Sequence, residues 1–277
     1  MKEKLLAELE KTVAIALAED IGGGDVTADL VPVQNEATAQ VICRENAVIC
    51  GIPWFNEVFK QLGGVEVSWD IGDGDHVVAD SRLCQLKGNA AKILTGERTA
   101  LNFMQLLSAT ATVTAEYAKE VSGTTTRILD TRKTIPGLRL AQKYAVACGG
   151  GVNHRIGLYD AVLIKENHIM AAGSIAAAVV RSKELNPDIP VEVEVENMRE
   201  LQEVLDSEAD SVLLDNFSNE KLREAVKIVN GRIKTEASGG LEKSDLAGVA
   251  DTGVDFISIG ALTKNVKAVD LSMRFEI

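Results

Sequence analysis

The side chains in this chain with the most chemical capacity come in short polar groups, each placed directly after a run of β-branched or leucine residues. Asp130-Thr131-Arg132-Lys133-Thr134 follows residues 126–129, Lys165-Glu166-Asn167-His168 follows 161–164, and Asp215-Asn216 follows 211–214. Ser238-Gly239-Gly240 and Gly260-Ala261 follow the runs at 233–237 and 256–259, while Glu192 and Glu194 lie inside the run at 191–195. The stretch Arg127–His168 holds seven Lys/Arg against three Asp/Glu, a local +4 in a chain of formal net charge -12, which leaves -16 for the remainder. Guanidinium groups bind carboxylate and phosphate oxygens in pairs and lysine supplies a point charge. Arg132, Lys133, Arg139, Arg155 and Lys165 are therefore candidates to converge on a ligand with several carboxylates or phosphates. The plainer alternative is that each pairs with a surplus acid or faces solvent. Their shared position after predicted strands favours a ligand, because parallel α/β folds present functional groups at the C-terminal ends of strands.

Strict alternation in Val191-Glu192-Val193-Glu194-Val195 puts the three valines on one face and both glutamates on the other. A carboxylate directed into a barrel needs a partner, such as sugar hydroxyls, a metal or one of the cations; a solvated edge-strand face is the alternative for one of the two. The glycines at 239, 240 and 260 permit close backbone approach to a phosphate. Each alone is a weak signal, since glycine after a strand usually marks a turn. His154 and His168 lack HExxH or HxH spacing and His76 reads as a turn residue, so no zinc site is expected. Gly22-Gly23-Gly24 follows a helix, and no GxxxxGK(S/T) occurs, so neither a dinucleotide fingerprint nor a P-loop is supported.

The elements that must position these groups divide the chain in two. Apolar residues at helical spacing predict an amphipathic helix over Lys2–Ala18, ended by the glycine-rich segment Asp20–Asp25. Alternating segments near Ala37–Arg44, Val65–Trp69 and Asp75–Leu86, with a helix near Phe55–Leu62, predict an α+β first third. Ala90–Val121, poor in proline and glycine and containing Arg98, predicts one long or broken helix. From Thr124 the pattern changes to six βα-like units, with strands at 126–129, 161–164, 191–195, 211–214, 233–237 and 256–259. Such units imply parallel strands with right-handed crossovers, and their spacing points to an α/β barrel that six strands leave incomplete. A further strand near Gly149–Gly151 or an open doubly wound sheet are the structural alternatives.

Hydrophobic residues at 46% and charged residues at 25% match a folded soluble protein and exclude disordered and collagen-like classes. The excess of 41 Asp+Glu over 29 Lys+Arg opposes binding to nucleic acid or anionic lipid. Cys43, Cys50, Cys84 and Cys148 form no CxxC pair, so reduced thiols are expected. The apolar stretch Thr12–Ala18 is too short for a signal-peptide core or a membrane span, and a cytoplasmic location is expected.

The segments Asp130–Arg139, Gly149–Arg155, Leu163–His168, Glu236–Gly240 and Ile257–Leu262, with Glu19–Thr27 and Glu97–Asn102, together resemble the quinolinate phosphoribosyltransferase family, the carboxylating nicotinate-nucleotide pyrophosphorylases. The resemblance runs in order over nearly the whole chain. Small departures occur at Ser108-Ala109-Thr110, where the family often has Ser-Gly, and at Ala28, where serine is common. The resemblance implies a two-domain homodimer, with an N-terminal α/β sandwich domain over 1–108, on which the C-terminal tail is free to pack back, and an open α/β barrel of about six parallel strands over 109–277. It implies that this dimer makes nicotinate mononucleotide, CO2 and pyrophosphate from quinolinate and phosphoribosyl pyrophosphate, with no separate protein metal site and Mg2+ held mainly through the donor pyrophosphate. It also implies that Arg98 reaches the partner's site and that Arg132, His154, Arg155 and Lys165 surround the two carboxylates of quinolinate. Lys133, Glu194 and Asp215 would hold the donor, with Thr131, Ser238, Gly239, Gly240, Gly260 and Ala261 beside it. Lys133, Lys165, Glu194 and Asp215 are the implied catalytic set.

Three competing readings remain at this point. Lys165 at the end of a barrel strand also suits a Schiff-base lyase. A paralogous phosphoribosyltransferase with a changed acceptor would differ by only a few pocket residues. A metabolite-binding protein without turnover would be marked by a missing charged position, and none is missing.

Overall fold

A computed structural model describes residues 6–32 and 35–276. Its strands, in chain order, are β1 (Glu36–Cys43), β2 (Ala47–Val48), β3 (Val65–Trp69), β4 (His76–Val77), β5 (Ser81–Asn89), β6 (Arg127–Leu129), β7 (Val162–Ile164), β8 (Val191–Val195), β9 (Ser211–Asp215), β10 (Lys234–Ser238), β11 (Phe256–Ser258) and β12 (Leu271–Glu276). They fall into two compact units. The first comprises the chain up to Ala115, Thr134–Gly150 and the segment from Ala261 onward; the second comprises Glu116–Lys133 and Gly151–Gly260.

This grouping differs from a single cut between 108 and 109. The helix Ala90–Glu120 runs through that point without a break. Within the first unit, Tyr144 Oη donates to Asp73 Oδ2 (2.8 Å) and Gln142 Nε2 donates to the Thr263 carbonyl (2.8 Å), which ties 134–150 to the other two segments of that unit. The tail returns as β12, antiparallel to β1 from Thr38↔Glu276 to Cys43↔Leu271.

The first unit holds an antiparallel sheet of order β12-β1-β5-β3 and a short β2-β4 pair. On β1, Ala39, Val41 and Cys43 alternate inward and are fully buried. The helix Ile52–Leu62 starts with Pro53 in its first turn and Gly51 before it, whose N–H, like that of Ile52, is donated to Asp73 Oδ1 (2.9 and 3.1 Å). Its buried face carries Trp54, Phe55, Val58 and Phe59. The first helix runs from Leu9 to Ile21, past Ala18, because nothing interrupts it before Gly22; Lys2–Leu5 lie outside the described residues. The predicted strand Asp75–Leu86 is two strands in different sheets, split by a turn in which Asp80 takes φ 65°. His76 opens the first of them and is not a turn residue.

The second unit is a six-stranded parallel sheet of order β6-β11-β10-β9-β8-β7. Neighbours along 7-8-9-10-11 are consecutive in sequence, and β6 joins beside β11, as in a barrel left open between β6 and β7. On the free edge of β6 the chain near Gly149–Gly151 contributes one residue: Val152 bridges Leu129 in parallel. The crossover helices start on side-chain caps, with Ser174 Oγ accepting from Ala177, Asn197 Oδ1 from Glu200 and Ser218 Oγ from Lys221. Val191, Val193 and Val195 are fully buried on the face of β8 covered by helices, which directs Glu192 and Glu194 to the interior. Among the described residues no helix is long and apolar enough to cross a membrane. Cys43, Cys50 and Cys84 are buried, and burial pushes the Cys84 thiol up to about 12, which suits an inert core position.

Candidate active site

Lys133, Lys165, Glu194, Asp215 and Ser238 lie at the C-terminal ends of five strands, β6 to β10, and form one rim. Lys133 donates its backbone N–H to Thr131 Oγ1 (3.1 Å). Gly260, after β11, leaves room for its side chain, since a Cβ there would come 2.9 Å from Lys133 Cδ. Lys165 donates its N–H to His168 Nδ1 (3.0 Å), which closes the start of the helix Glu166–Ala172, and its Nζ is paired with Glu194 Oε2. Burial, followed by the charge of Glu194, pushes the Asp215 carboxyl up, while Lys165, Lys133 and a hydrogen bond from Ser238 act in the other direction. Asn216 takes φ 57°, donates its side chain to Asp215 Oδ2 (2.7 Å) and its N–H to the Ser238 carbonyl (2.9 Å). Gly239 is held at φ +113°, where a Cβ would fall 2.3 Å from Asn216 Oδ1. The rim thus sets two neighbouring carboxylates, Asp215 and Glu194, between Lys165 on one side and the Ser238–Gly240 backbone and Lys133 on the other. Cations there can bind phosphate, and carboxylates can face hydroxyls or positive charge developing on a sugar.

A second cluster lies deeper. His154 follows the Val152 bridge, and its backbone N–H is donated to Asp130 Oδ1 (2.9 Å), while Asn153 Nδ2 donates to Asp130 Oδ2 (2.7 Å). Its ring reaches into the sheet, with Nε2 2.8 Å from Glu192 Oε2 on β8 and 3.3 Å from Glu236 Oε2 on β10. Glu192 Oε1 also accepts from Ser211 Oγ (3.2 Å). Burial works against charging His154, but the hydrogen bonds and charges of Glu192 and Glu236 outweigh it and raise the imidazole to about 10. Burial pushes the Glu236 carboxyl up. Beside them, burial and then the charge of Arg132 push the Arg155 guanidinium down, with Glu192 and Asp160 opposing. Two guanidiniums near enough to oppose each other can share an anionic ligand. A cavity of about 410 Å³ borders His154, Arg155, Asp160, Glu192, Ser211 and Glu236.

Of the residues singled out in the sequence, Thr131, Arg132, Lys133, His154, Arg155, Lys165, Glu194, Asp215, Ser238, Gly239, Gly240 and Gly260 belong to the second unit; Arg98, exposed on its helix, Arg139 and Ala261 belong to the first. Arg139 Nε donates to Thr134 Oγ1 (3.1 Å) at the start of its helix. The interior direction of both β8 glutamates removes the solvated-edge alternative. Glu236 is a further charged residue of this cluster; it lies inside β10 and not after it, and its one sequence signal is the alternation Lys234-Thr235-Glu236-Ala237-Ser238. A Schiff-base lysine must present a free amine, whereas Lys165 is ion-paired with Glu194.

Comparison with known proteins decides the family. A model described as the N-terminal domain of quinolinate phosphoribosyl transferase matches residues 25–108, and one for the C-terminal domain matches 110–274. The chain belongs to the quinolinate phosphoribosyltransferase family. A relative from Synechocystis sp., named a probable nicotinate-nucleotide pyrophosphorylase (carboxylating), is 41% identical over 263 residues, covering 93% of this chain and 89% of that protein. The solved nicotinate-nucleotide pyrophosphorylase of Francisella tularensis is 50% identical with a TM-score of 0.95, over 98% of this chain and 96% of the other. That of Ehrlichia chaffeensis is 38% identical with a TM-score of 0.91, over 96% and 98%.

Proposed function

We propose that this chain is a decarboxylating quinolinate phosphoribosyltransferase, a pentosyltransferase of NAD biosynthesis. It joins quinolinate to phosphoribosyl pyrophosphate and releases nicotinate mononucleotide, CO2 and pyrophosphate. The observation that carries this reading is the rim of Lys133, Lys165, Glu194, Asp215 and Ser238 at the ends of five successive strands, in a chain matched by the family along both halves.

In this reading the ring nitrogen of quinolinate attacks the anomeric carbon as the bond to pyrophosphate breaks. Positive charge growing on the ribose faces Glu194 and Asp215. Negative charge on the leaving group faces Lys133 and the backbone at Ser238–Gly240 and Gly260–Ala261. Glu194 and Asp215, as hard oxygen donors on an open rim, fit Mg2+ carried in by the donor, which supplies charge neutralisation to the leaving pyrophosphate when bound. Arg132, His154, Arg155 and Lys165 offset the mutual repulsion of the two acceptor carboxylates. The 2-carboxylate then leaves as CO2, its bonding pair remains on C2 beside the cationic ring nitrogen and Lys165, and a proton completes C2. No protein nucleophile takes part.

The active species is a homodimer in the cytoplasm, with exposed Arg98 of one protomer completing its partner's site. Mixing Arg98→Ala protein with an inactive Lys165→Ala protein restores part of the activity through heterodimers; no recovery contradicts a shared site. The reaction itself is tested by pyrophosphate release, which requires quinolinate, donor and Mg2+ together. Binding of both substrates without release identifies a sensor and overturns the proposal.

A further inference from the structure

His154 is the one histidine of three whose ring is gripped by two carboxylates, and neither carboxylate has a part in the chemistry above. Glu192 and Glu236 are 7% and 2% exposed, so both ought to be costly as anions unless something compensates them. They approach a single atom, Nε2, at 2.8 and 3.3 Å, which one N–H can serve as a shared donor. Serine hydroxyls hold the far side: Ser211 donates to Glu192 and Ser258 to Glu236. The backbone of the histidine is fixed independently by Asp130. The ring is therefore oriented from five elements at once, more anchoring than a filler side chain requires.

Resting on the acceptor reading above, we infer that Glu192 and Glu236 are positioning residues that hold His154 as a fixed imidazolium at the base of the acceptor pocket. The charged ring then answers both carboxylates through one N–H, and burial, followed by the charge of Glu192, pushes the Glu236 carboxyl up, so the cluster turns less negative charge toward a dicarboxylate held by Arg132 and Arg155. With a neutral imidazole and both carboxylates ionised it would carry two negative charges facing that ligand, and the two carboxylates would repel each other.

The other charged groups near the ring do not replace this arrangement. Asp130 is committed to the backbone N–H of His154 and to Asn153. Asp160 accepts the N–H groups of Ile156 and Gly157 (2.8 and 2.9 Å). Asp210 is paired with Lys183 (2.6 Å) and Lys234 with Asp255 (2.5 Å), while Arg155 adds a like charge that would only discourage protonation. The three ligand atoms also lie within 4.8 Å of one another, a spacing compatible with a dication. A tetrahedral zinc with bonds of about 2.0–2.1 Å would hold its ligand atoms roughly 3.3 Å apart, so the 2.8 Å contact favours a proton.

With only three histidines in the chain, ring NMR resolves each one. In the wild-type dimer His154 is expected to show no titration between about pH 6 and pH 9 and to be unaffected by EDTA. In Glu192→Gln/Glu236→Gln its midpoint falls by at least about two pH units, with each single variant intermediate. At pH 7.5 the double variant raises KM for quinolinate about tenfold or more, with KM for the donor changed less than about threefold, and the defect shrinks as pH falls and the ring recharges. A purely structural pair gives no such recovery. A wild-type His154 that titrates near its ordinary 6.5, a spectrum that responds to chelator, or variants that shift the titration but leave quinolinate KM unchanged each overturn the inference. The wild-type titration requires no variant to fold. A wild-type protein with no quinolinate turnover fails the functional reading separately and removes the acceptor role, whatever the titration shows.

Discussion

Glu192 and Glu194 sit on the same strand and face, about 6.6 Å apart along it, yet belong to different chemistries. Glu194 is half-buried on the rim, paired with Lys165 and next to Asp215. Glu192 is buried, bonded to a histidine and a serine and close to a second buried carboxylate. The rim pair is answered by exposed lysine ammoniums that a ligand can displace or share; the deep pair is answered by an imidazole bonded to both, which no ligand need displace. Burial and the type of partner thus turn one residue type into an adjustable donor-facing group at one level and a fixed charge holder at the next.

The sharpest way to break this contrast is at Lys165, which serves both levels. Lys165→Ala is expected to lower kcat/KM about 10²–10³-fold while leaving the thermal unfolding midpoint within a few degrees. A loss below about tenfold by steady-state kinetics contradicts a place for this group among the reacting atoms. The next effect separates the levels. Asp215→Ala or Glu194→Ala should cut kcat/KM for phosphoribosyl pyrophosphate about 10–100-fold, whereas Arg132→Ala or Arg155→Ala should act chiefly through KM for quinolinate. Reversed dependences would exchange the two assignments.

A backbone change sharpens the picture of the rim. Gly239→Ala must place a Cβ at φ +113°, 2.3 Å from Asn216 Oδ1, and is expected to cost about 1–3 kcal/mol in denaturant unfolding. An unchanged midpoint would mean that the Asn216–Gly239 contact relaxes freely. A further test lies in the pH dependence of stability. His154 rises to about 10 in the folded state from an ordinary 6.5, so its stabilisation is fully present below about 6.5 and is lost as pH climbs through about 10. Replacing both deep glutamates with glutamine should flatten that alkaline decline, measured by urea unfolding between pH 6 and 10; an identical slope removes His154 as its source.

Much of this was legible in the residues. The six parallel strands were read to within about a residue or two because each is a short apolar run flanked by a polar end, and β8 is an uninterrupted alternation. The two-residue strands β2 and β4 are too short to carry a period, and β12 exists through its pairing with β1, which its own pattern does not announce. The helix Arg139–Cys148 buries Gln142 and Lys143 beside Ala141 and Tyr144, so its inward face does not read as apolar. On the rim, position after a strand was enough to single out Lys133, Lys165 and Asp215. The deep cluster was not legible in the same way. His154 meets Glu192 and Glu236 only because the chain returns along the edge of β6 through Val152, a contact with no local signature.

The most direct test of the account uses quinolinate labelled with ¹³C in its 2-carboxylate, supplied with phosphoribosyl pyrophosphate and Mg2+. The rim and the cationic pocket predict one labelled CO2 and one pyrophosphate for each nicotinate mononucleotide formed. Pyrophosphate release without labelled CO2, or no release at all, would contradict it.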